Sequence, residues 1–315
     1  MRRKIIVTGI NGQDGKLLLD RLEGNLDWEL IGVTHNINAA KQAAKNDYQL
    51  ESWDFENPEI IEEIVKKHKP SLLVNLASFA TGIGMFDNTA KLSLVNGLAV
   101  VYLLEAIKKF SPETRFLQAG SSEMFGATVV FPQTEASEML PRTPYGAAKL
   151  FAHNMVKIYR TRYDLHASNM IFYNHESIYR TDSFVTQKIV KGAVAIKKGL
   201  SKNLELFDLN SARDWSYAPD FIEGMFLVAD QTKPSDYVFA SGRLTTVRQL
   251  CEIIFDHLDL NYENHVIETS PQSVRDANLL GNPSKLEALG FNRSKNLKEM
   301  LVEMIEHELK NDKEN

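Results

Sequence analysis

Residues 4–15 read Lys-Ile-Ile-Val-Thr-Gly-Ile-Asn-Gly-Gln-Asp-Gly, and this stretch decides the fold. It begins with an apolar run, Lys4 to Val7, which is too short for a helix and is typical of a buried parallel strand. Three glycines spaced three apart follow, and a leucine-rich segment after them indicates a helix. Glycines at such a turn let backbone N–H groups approach a pyrophosphate. The stretch therefore predicts a dinucleotide-binding loop, the alternative being a plain turn.

Short apolar strands alternate with helices over the first half of the chain. The predicted strands are residues 4–7, 29–33, 49–53, 71–76, 116–119 and 167–172. Such alternation predicts an α/β fold with a doubly wound parallel sheet, whose ligands bind at the carboxyl ends of the strands.

The pattern becomes less regular after residue 173. Helices are predicted at 184–198, 220–229, 246–258 and 296–309, strands at 204–207 and 237–240, and a polar-aromatic loop at 211–217. We expect residues 1–172 to form mainly the dinucleotide-binding domain. Residues 173–315 should form mainly a smaller, interleaved α/β substrate-binding part, with segments such as 204–240 returning to the sheet.

Composition excludes several classes of protein. The chain has 315 residues, 43% of them hydrophobic, and a net charge of -5, so no bulk attraction to nucleic acid or anionic membrane is expected. We find no window that approaches the ~20 apolar residues of a membrane span, and no pattern that predicts a metal site. The single cysteine, Cys251, excludes an intrachain disulfide and fits a reducing, cytoplasmic location.

A second pair of segments predicts proton-transfer chemistry. Gly-Ser-Ser-Glu-Met-Phe-Gly (120–126) follows a strand, and Pro-Tyr-Gly-Ala-Ala-Lys (144–149) begins a helix. Tyr145 and Lys149 are four residues apart and share a helix face, where a cation favours phenolate over phenol. Ser121 and Glu123 would bring a hydroxyl and a carboxylate to the same place. Taken alone, the Tyr-x-x-x-Lys spacing is common by chance and more often marks an exposed polar helix face.

Residues at the ends of three further strands could contact the cofactor. The second strand ends in Thr34-His35-Asn36, which supplies neither the acid typical of NAD enzymes nor the arginine typical of NADP enzymes. The third closes with Asp54-Phe55, where a carboxylate can accept from an adenine amino group. The fourth runs through Leu76 into Ala77-Ser78-Phe79-Ala80, a small-residue loop that lets backbone approach a flat cofactor.

Taken together, these motifs resemble the extended short-chain dehydrogenase/reductase family, and within it the GDP-mannose 4,6-dehydratases, over essentially the whole chain. The matching segments are Thr8–Gly15, Ser121–Gly126, Pro141–Lys149, Tyr173–Ser177, Phe184–Lys188, Arg213–Trp215 and Leu279–Pro283. Three of these segments distinguish this family from others far better than the glycines do. They are Gln13-Asp14, Asn174–Ser177 and Arg213–Trp215. The resemblance implies a Rossmann sheet.

The resemblance also implies a reaction without net redox change. The cofactor oxidises C4 of the sugar, Tyr145 takes the C4 hydroxyl proton, Lys149 keeps the phenolate available and Ser121 steadies the oxygen. Glu123 then removes the acidified C5 proton and assists loss of the C6 hydroxyl as water, after which hydride returns to C6. Epimerases and reductases do not need this last acid/base, so Glu123 distinguishes the dehydratase.

Binding residues are implied by the same resemblance. The cofactor is NADP, with NAD possible, and its residues are Gly9, Asn11, Gly12, Gln13, Asp14, Gly15, Asp54, Phe55, Leu76, Ala77, Tyr145, Lys149, His175 and Arg180. The GDP-sugar substrate would be bound by Ser122, Asn174, Lys188, Arg213 and Arg275. The cations suit phosphate oxygens, although each could equally be a surface residue, and His175 could be a core histidine.

Three departures from the family pattern limit these expectations. His35-Asn36 replaces an arginine pair, which puts NADP preference in doubt and favours a homodimer over the family's tetramer. The segments Phe79–Phe86 and Ile178–Thr181 also differ, so the sugar need not be mannose; a GDP-heptose or GDP-N-acetylhexosamine is compatible. The alternatives are an epimerase or 4-keto reductase on the same fold, and a non-catalytic dinucleotide sensor.

Overall fold

A seven-stranded parallel sheet forms the centre of the molecule. The computed structural model describes residues 2–43, 48–79, 86–269 and 279–311. The strands of the sheet are β1 (Arg3–Thr8), β2 (Trp28–Thr34), β3 (Gln49–Ser52), β4 (Leu72–Asn75), β5 (Arg115–Ala119), β6 (Ala167–Phe172) and β10 (Asp236–Phe239). They are arranged in the order β10-β6-β5-β4-β1-β2-β3.

Strand β1 lies at the point where the strand order reverses. It pairs with β2 on one side, where Ile6 lies opposite Ile31, and with β4 on the other, where Ile6 lies opposite Leu73. Every residue of β4 and β6 is buried, as expected for strands covered on both faces. The predicted doubly wound parallel sheet is therefore confirmed, and its ligand crevice lies beyond the carboxyl ends of β1 and β4.

Helices cover both faces of the sheet. The helices are α1 (Gln13–Leu22), α2 (Ile37–Ala43), α3 (Pro58–His68), α4 (Thr89–Ser93), α5 (Ala99–Phe110), α6 (Pro144–Tyr163), α7 (Val185–Lys197), α8 (Ala218–Ala229), α9 (Val247–His257), α10 (Ser284–Glu287) and α11 (Leu297–Asn311). One core contains Leu18 of α1 and Phe221 of α8. The other contains Val65 of α3, Leu104 of α5 and Val156 of α6.

A π-helical turn, Leu94–Leu98, joins α4 to α5, so Thr89–Phe110 is one helical stretch of 22 residues. By length and composition alone this stretch could cross a membrane. The prediction that no part of the chain is long and apolar enough to span a bilayer was therefore wrong. More than half of it is buried inside the protein, and Val100 and Leu103 are fully buried between α3 and the sheet. It is a core helix.

The second half of the chain builds a separate core while returning to the sheet. Ile189 of α7, Leu250 of α9 and Leu301 of α11 pack together, whereas α8 and β10 join the central sheet and its covering layer. The remaining strands are β7 (Asn174–Glu176), β8 (Leu204–Leu206), β9 (Ala212–Tyr217), β11 (Leu244–Thr246) and β12 (Val266–Glu268).

Residues 211–217 are not the predicted loop. Most of this segment is β9, which pairs in parallel with β7 and antiparallel with β11. Its partners lie tens of residues away along the chain, and a local polar-aromatic pattern carries no information about them. The pairing places Asn174 opposite Trp215, next to the crevice at the end of β6.

Candidate active site

The predicted proton-transfer residues meet at the carboxyl edge of the sheet. Helix α6 begins at Pro144, and the Thr143 hydroxyl caps it by accepting from the Gly146 N–H at 3.0 Å. A Cβ at position 146 would lie 2.5 Å from the Glu123 carbonyl oxygen. The first turn of α6 therefore lies directly against the turn that follows β5, and only glycine permits this approach.

Lys149 is buried close to the ring of Tyr145. Only 2% of Lys149 is exposed, and its Nζ lies 5.8 Å from the centroid of the Tyr145 ring. The ammonium group donates to the Ala119 carbonyl oxygen at 2.9 Å, so a strand end anchors it beside the ring. Burial lowers the pKa of Lys149 to about 8, and the charge of Asp14 opposes that change.

Ser121 and Glu123 lie on the short 3₁₀ turn after β5. The Ser121 hydroxyl accepts from the Glu123 backbone N–H at 3.2 Å. The side chain of Glu123 is half-buried, and its charge acts on the phenol of Tyr145. The structure thus brings together the four residues predicted to be catalytic, with the Glu123 side chain half-buried among them.

Burial raises the pKa of Tyr145, and the charge of Glu123 raises it further. The hydroxyls of Ser78 and Ser121 and the charge of Arg180 act in the opposite direction, since they favour the phenolate. The Ser78 contribution was missed at the sequence level, where Ser78 counted only as a small residue of the loop after β4. No local pattern relates it to Tyr145.

The loop between β1 and α1 has the shape that a dinucleotide requires. Gly9 has φ +72°, and a Cβ there would lie 2.7 Å from the Ala77 backbone nitrogen, next to Leu76. A Cβ at Gly15 would lie 2.5 Å from the Ile10 carbonyl oxygen, whereas Gly12 is less crowded. These glycines let the loop and the N-terminus of α1 lie against the end of β4, as a bound pyrophosphate needs.

Asn11 offers a further polar group in this loop. Its amide donates to the Thr34 hydroxyl at 3.0 Å and to the Asn36 carbonyl oxygen at 3.2 Å. Its buried Oδ1 has no hydrogen-bond partner among the described residues, so this loop contains an acceptor whose hydrogen-bonding capacity is not used.

Gln13 and Asp14 contact the strand that carries His175. The Gln13 amide donates to the His175 carbonyl oxygen at 3.0 Å and accepts from the Ser177 hydroxyl at 2.9 Å. His175 Nε2 lies 3.1 Å from both carboxylate oxygens of Asp14. These side chains join the dinucleotide loop to β7, a relationship that the sequence did not predict.

Arg180 lies close to the end of β7. Its Nε is 2.9 Å from the buried carboxylate of Glu176, and its guanidinium stacks over Phe184 at 3.5 Å. Because its charge also acts on Tyr145 and Asp14, Arg180 lies within the same electrostatic cluster as the predicted catalytic residues.

Asp54 follows β3, where the adenine of the cofactor was predicted to bind. Its carboxylate accepts from the backbone N–H groups of Glu56 and Asn57 and from the Asn57 side-chain amide. These bonds lower the pKa of Asp54. Phe55 packs against Trp53 with ring centroids 4.7 Å apart. Asp54 therefore shapes this loop, and contact with an adenine stays a prediction.

The predicted substrate residues lie on several elements. Ser122 is buried in the 3₁₀ turn, Asn174 begins β7, and Lys188 is exposed on α7. Arg213 donates to the Ser211 hydroxyl and to the Ala212 carbonyl oxygen. Arg275 and residues 80–85 lie outside the described residues. Across the described ranges, no group of three or more His, Cys, Asp or Glu side chains could hold a metal ion.

Comparison with known proteins shows which family this sequence matches. The family model described as GDP-mannose 4,6 dehydratase matches residues 6–304. The GDP-mannose 4,6 dehydratase 2 of Arabidopsis thaliana is 34% identical, over 98% of this chain and 87% of that protein.

Two solved structures share the fold. A dTDP-glucose 4,6-dehydratase from Bacillus anthracis, solved with NAD, superposes with a TM-score of 0.86 at 20% identity, covering 99% of this chain and 98% of that one. RMD from Pseudomonas aeruginosa, solved with NADPH, gives a TM-score of 0.84 at 21% identity, covering 99% of each chain.

Proposed function

This chain belongs to the GDP-mannose 4,6-dehydratase family, and on that premise we propose that it converts a GDP-sugar into its 4-keto-6-deoxy derivative by loss of water. The observation that carries the proposal is the position of Glu123. It is a half-buried carboxylate whose charge acts on Tyr145, beside Ser121 and Lys149. A site for hydride transfer alone needs no such acid/base.

In the first half of the reaction, Tyr145 takes the proton of the C4 hydroxyl while Ser121 donates to the same oxygen. The side chains of Ser121 and Tyr145 interact, so one sugar oxygen can reach both. Lys149 contributes a positive charge beside the ring and is anchored at Ala119. When bound, the dinucleotide would supply a hydride acceptor at C4 and a hydride donor at C6.

In the second half, Glu123 acts at C5 and C6. The C4 carbonyl acidifies the C5 hydrogen, and Glu123 removes it as a proton. The same carboxyl group then protonates the departing C6 hydroxyl, so water leaves. Hydride delivery at C6 requires one proton at C5, and Tyr145 would supply the proton that it took from the C4 hydroxyl, so the proton balance closes.

The cofactor is a nicotinamide dinucleotide, for which the β1–α1 loop, Asn11 and the loop after β4 provide the site. The assignment to NADP rather than NAD is the finer part of the proposal and rests on family membership. His35 is exposed at the end of β2, and Asn36 caps α2 by accepting from the Ala39 N–H at 3.0 Å. Fluorescence titration with NADPH and NADH decides between the two.

The test of the activity is a product analysis. Purified protein with oxidised cofactor is incubated with GDP-mannose, a GDP-heptose and a GDP-N-acetylhexosamine, and products are analysed by mass spectrometry. A product lighter than its substrate by one water, with no net reduction of cofactor, supports the dehydratase. A product of unchanged mass would indicate an epimerase. Net consumption of NADH or NADPH in a parallel incubation with reduced cofactor and a 4-keto GDP-sugar would indicate a reductase, and either result contradicts the proposal.

The proposal includes a homodimer formed through α5 and α6. Phe151, Met155 and Ile158 repeat at helical spacing along α6, and Phe151 and Ile158 are 45% and 48% exposed. Leu98, 39% exposed, and Tyr102 continue the apolar stripe on the neighbouring helix. A second copy of the same two helices would cover the stripe with two-fold symmetry; a tetramer is the other outcome of the test.

A cytoplasmic location is the last element of the proposal. It is supported by the single cysteine, Cys251, which is buried and leaves the chain without an intrachain disulfide.

A further inference from the structure

Ser78 follows β4 and lies at the opening of the crevice. Its side chain is exposed, yet its hydroxyl acts on the phenol of Tyr145. The proposed reaction gives this hydroxyl no role.

Asn96 holds the Ser78 hydroxyl in place. Asn96 is 1% exposed and lies in the π-helical turn Leu94–Leu98, an irregularity that often marks functional sites. Its Oδ1 accepts from the Ser78 hydroxyl at 3.0 Å and from the Phe79 backbone N–H at 3.0 Å. A Cβ at Gly97 in the same turn would lie 3.5 Å from the Ala148 carbonyl oxygen, so this turn packs against the helix that carries Tyr145.

The orientation of the Asn96 amide follows from its partners. The Phe79 N–H can only donate, and the Phe79 carbonyl oxygen can only accept, here from Asn96 Nδ2 at 3.2 Å. The atom that faces Ser78 is therefore an acceptor. While Tyr145 is a phenol, the Ser78 O–H points to Asn96, and its oxygen is left to accept from the Tyr145 O–H.

Loss of the Tyr145 proton reverses this arrangement. A phenolate only accepts, so the Ser78 O–H can rotate from Asn96 to the phenolate oxygen. Asn96 Oδ1 then keeps its bond from the Phe79 N–H and is not left unsatisfied. No covalent bond changes, and Ser78 keeps its own proton throughout.

We propose that Ser78 is a further catalytic residue, which stabilises the phenolate of Tyr145 by switching its hydroxyl from Asn96 to Tyr145, with Asn96 as its positioning residue. This role rests on the proposed function, in which Tyr145 must first be a base. Other charged groups around the phenol are Glu123 from the turn after β5, Arg180 from the segment after β7, and Lys149 from α6 itself. Glu123 opposes the phenolate, and the Ser78 hydroxyl acts against that effect.

The test is the substitution Ser78→Ala, followed by two independent readouts. In the first readout, kcat/KM at one fixed pH should fall about tenfold, because a hydrogen bond to the charged form of Tyr145 is lost and its pKa rises by about one unit. Ser78→Thr keeps a hydroxyl and should restore the parental value. Ser111→Ala is the matched control, since Ser111 is a buried serine whose hydroxyl accepts from Thr114, before β5 and remote from the carboxyl edge.

The second readout does not depend on the substrate. Protein labelled with ¹³Cζ-tyrosine is titrated by NMR, and the Tyr145 resonance is assigned with Tyr145→Phe. Ser78→Ala should raise the pKa of Tyr145 by a similar amount, and Asn96→Ala should add no further shift in the Ser78→Ala background. A Tyr145 titration in Ser78→Ala that matches the parent overturns the inference. Failure of the parent to dehydrate any GDP-sugar overturns the proposed function instead, and the NMR titration still decides the role of Ser78.

Discussion

His175 and Asp14 form an ion pair at the junction of the dinucleotide loop and β7, with His175 Nε2 3.1 Å from each carboxylate oxygen. The other ring nitrogen lies 2.8 Å from the Tyr173 carbonyl oxygen. A carbonyl oxygen and a carboxylate are both acceptors, so the imidazolium form, which has two N–H groups, satisfies both. Burial alone would lower the pKa of His175, but the charge and hydrogen bond of Asp14 outweigh it and raise the pKa.

The first prediction concerns stability and pH. The raised pKa of His175 makes the pair stabilising below about pH 6.5, and this stabilisation is lost as pH rises through the folded-state pKa. The pKa of Asp14 is lowered despite its burial, so its contribution is present above about pH 4 and is lost as pH falls through its folded-state value. Asp14→Asn should therefore lower the free energy of unfolding by about 3 kcal/mol between these limits.

Urea denaturation at several pH values measures this effect. Glu306→Gln is the matched control, because Glu306 pairs with His257 at 3.2 Å on the surface and an exposed pair contributes under about 1 kcal/mol. An Asp14→Asn variant as stable as the parent at about pH 5 would contradict the ion-pair assignment.

The second prediction concerns elimination. Glu123→Gln should reduce the rate of water loss by roughly 10²–10⁴-fold, because the acid/base at C5 and C6 is removed. Dinucleotide affinity, measured by fluorescence titration, should stay unchanged. Glu113→Gln, an exposed carboxylate before β5, serves as the control. Parental turnover in Glu123→Gln would refute the assigned role.

The third prediction concerns Lys149. Its pKa of about 8 predicts that activity falls as pH rises through that value, since the neutral amine supplies no positive charge beside Tyr145. Lys149→Met keeps the apolar stem but leaves the Ala119 carbonyl oxygen without its donor. We expect the kcat of this variant to be roughly 100-fold lower or more. Its pH–activity profile should also no longer show the decrease at alkaline pH. A decrease that persists in Lys149→Met must arise from another group.

The fourth prediction separates backbone conformation from crowding. Gly9 and Gly24 both have positive φ, +72° and +70°, but a Cβ at Gly24 meets nothing within 4 Å. Gly24→Ala should cost about 1 kcal/mol of stability and leave dinucleotide binding intact. Gly9→Ala should cost more and abolish binding, because its Cβ collides with the backbone of Ala77. Thermal unfolding and NADH titration test the pair, and equal effects of the two substitutions would rule out the crowding argument.

The fifth prediction concerns the dimer. Phe151→Glu places a charge in the centre of the apolar stripe and should shift the protein to monomers in light scattering coupled to gel filtration. Leu200→Glu is the control, since Leu200 is 75% exposed at the end of α7 and lies off the stripe. A monomeric parent, or dissociation by the control alone, would exclude the α5–α6 interface.

Local patterns determined much of what the sequence could say. The glycine spacing and the buried strands determined the β1–α1 turn and the parallel sheet, and the four-residue spacing of Tyr145 and Lys149 determined a shared helix face. These features depend on neighbours within a few residues, where backbone geometry fixes the relationship.

The tertiary structure alone decided the partners of those side chains. Gln13 meets His175 across 162 residues of chain, Lys149 binds the end of β5, and Asn96 orients Ser78 beside Tyr145. It likewise turned the predicted loop 211–217 into the strand β9. Contacts of this range arise from how strands and helices pack together, and no spacing along the chain encodes them.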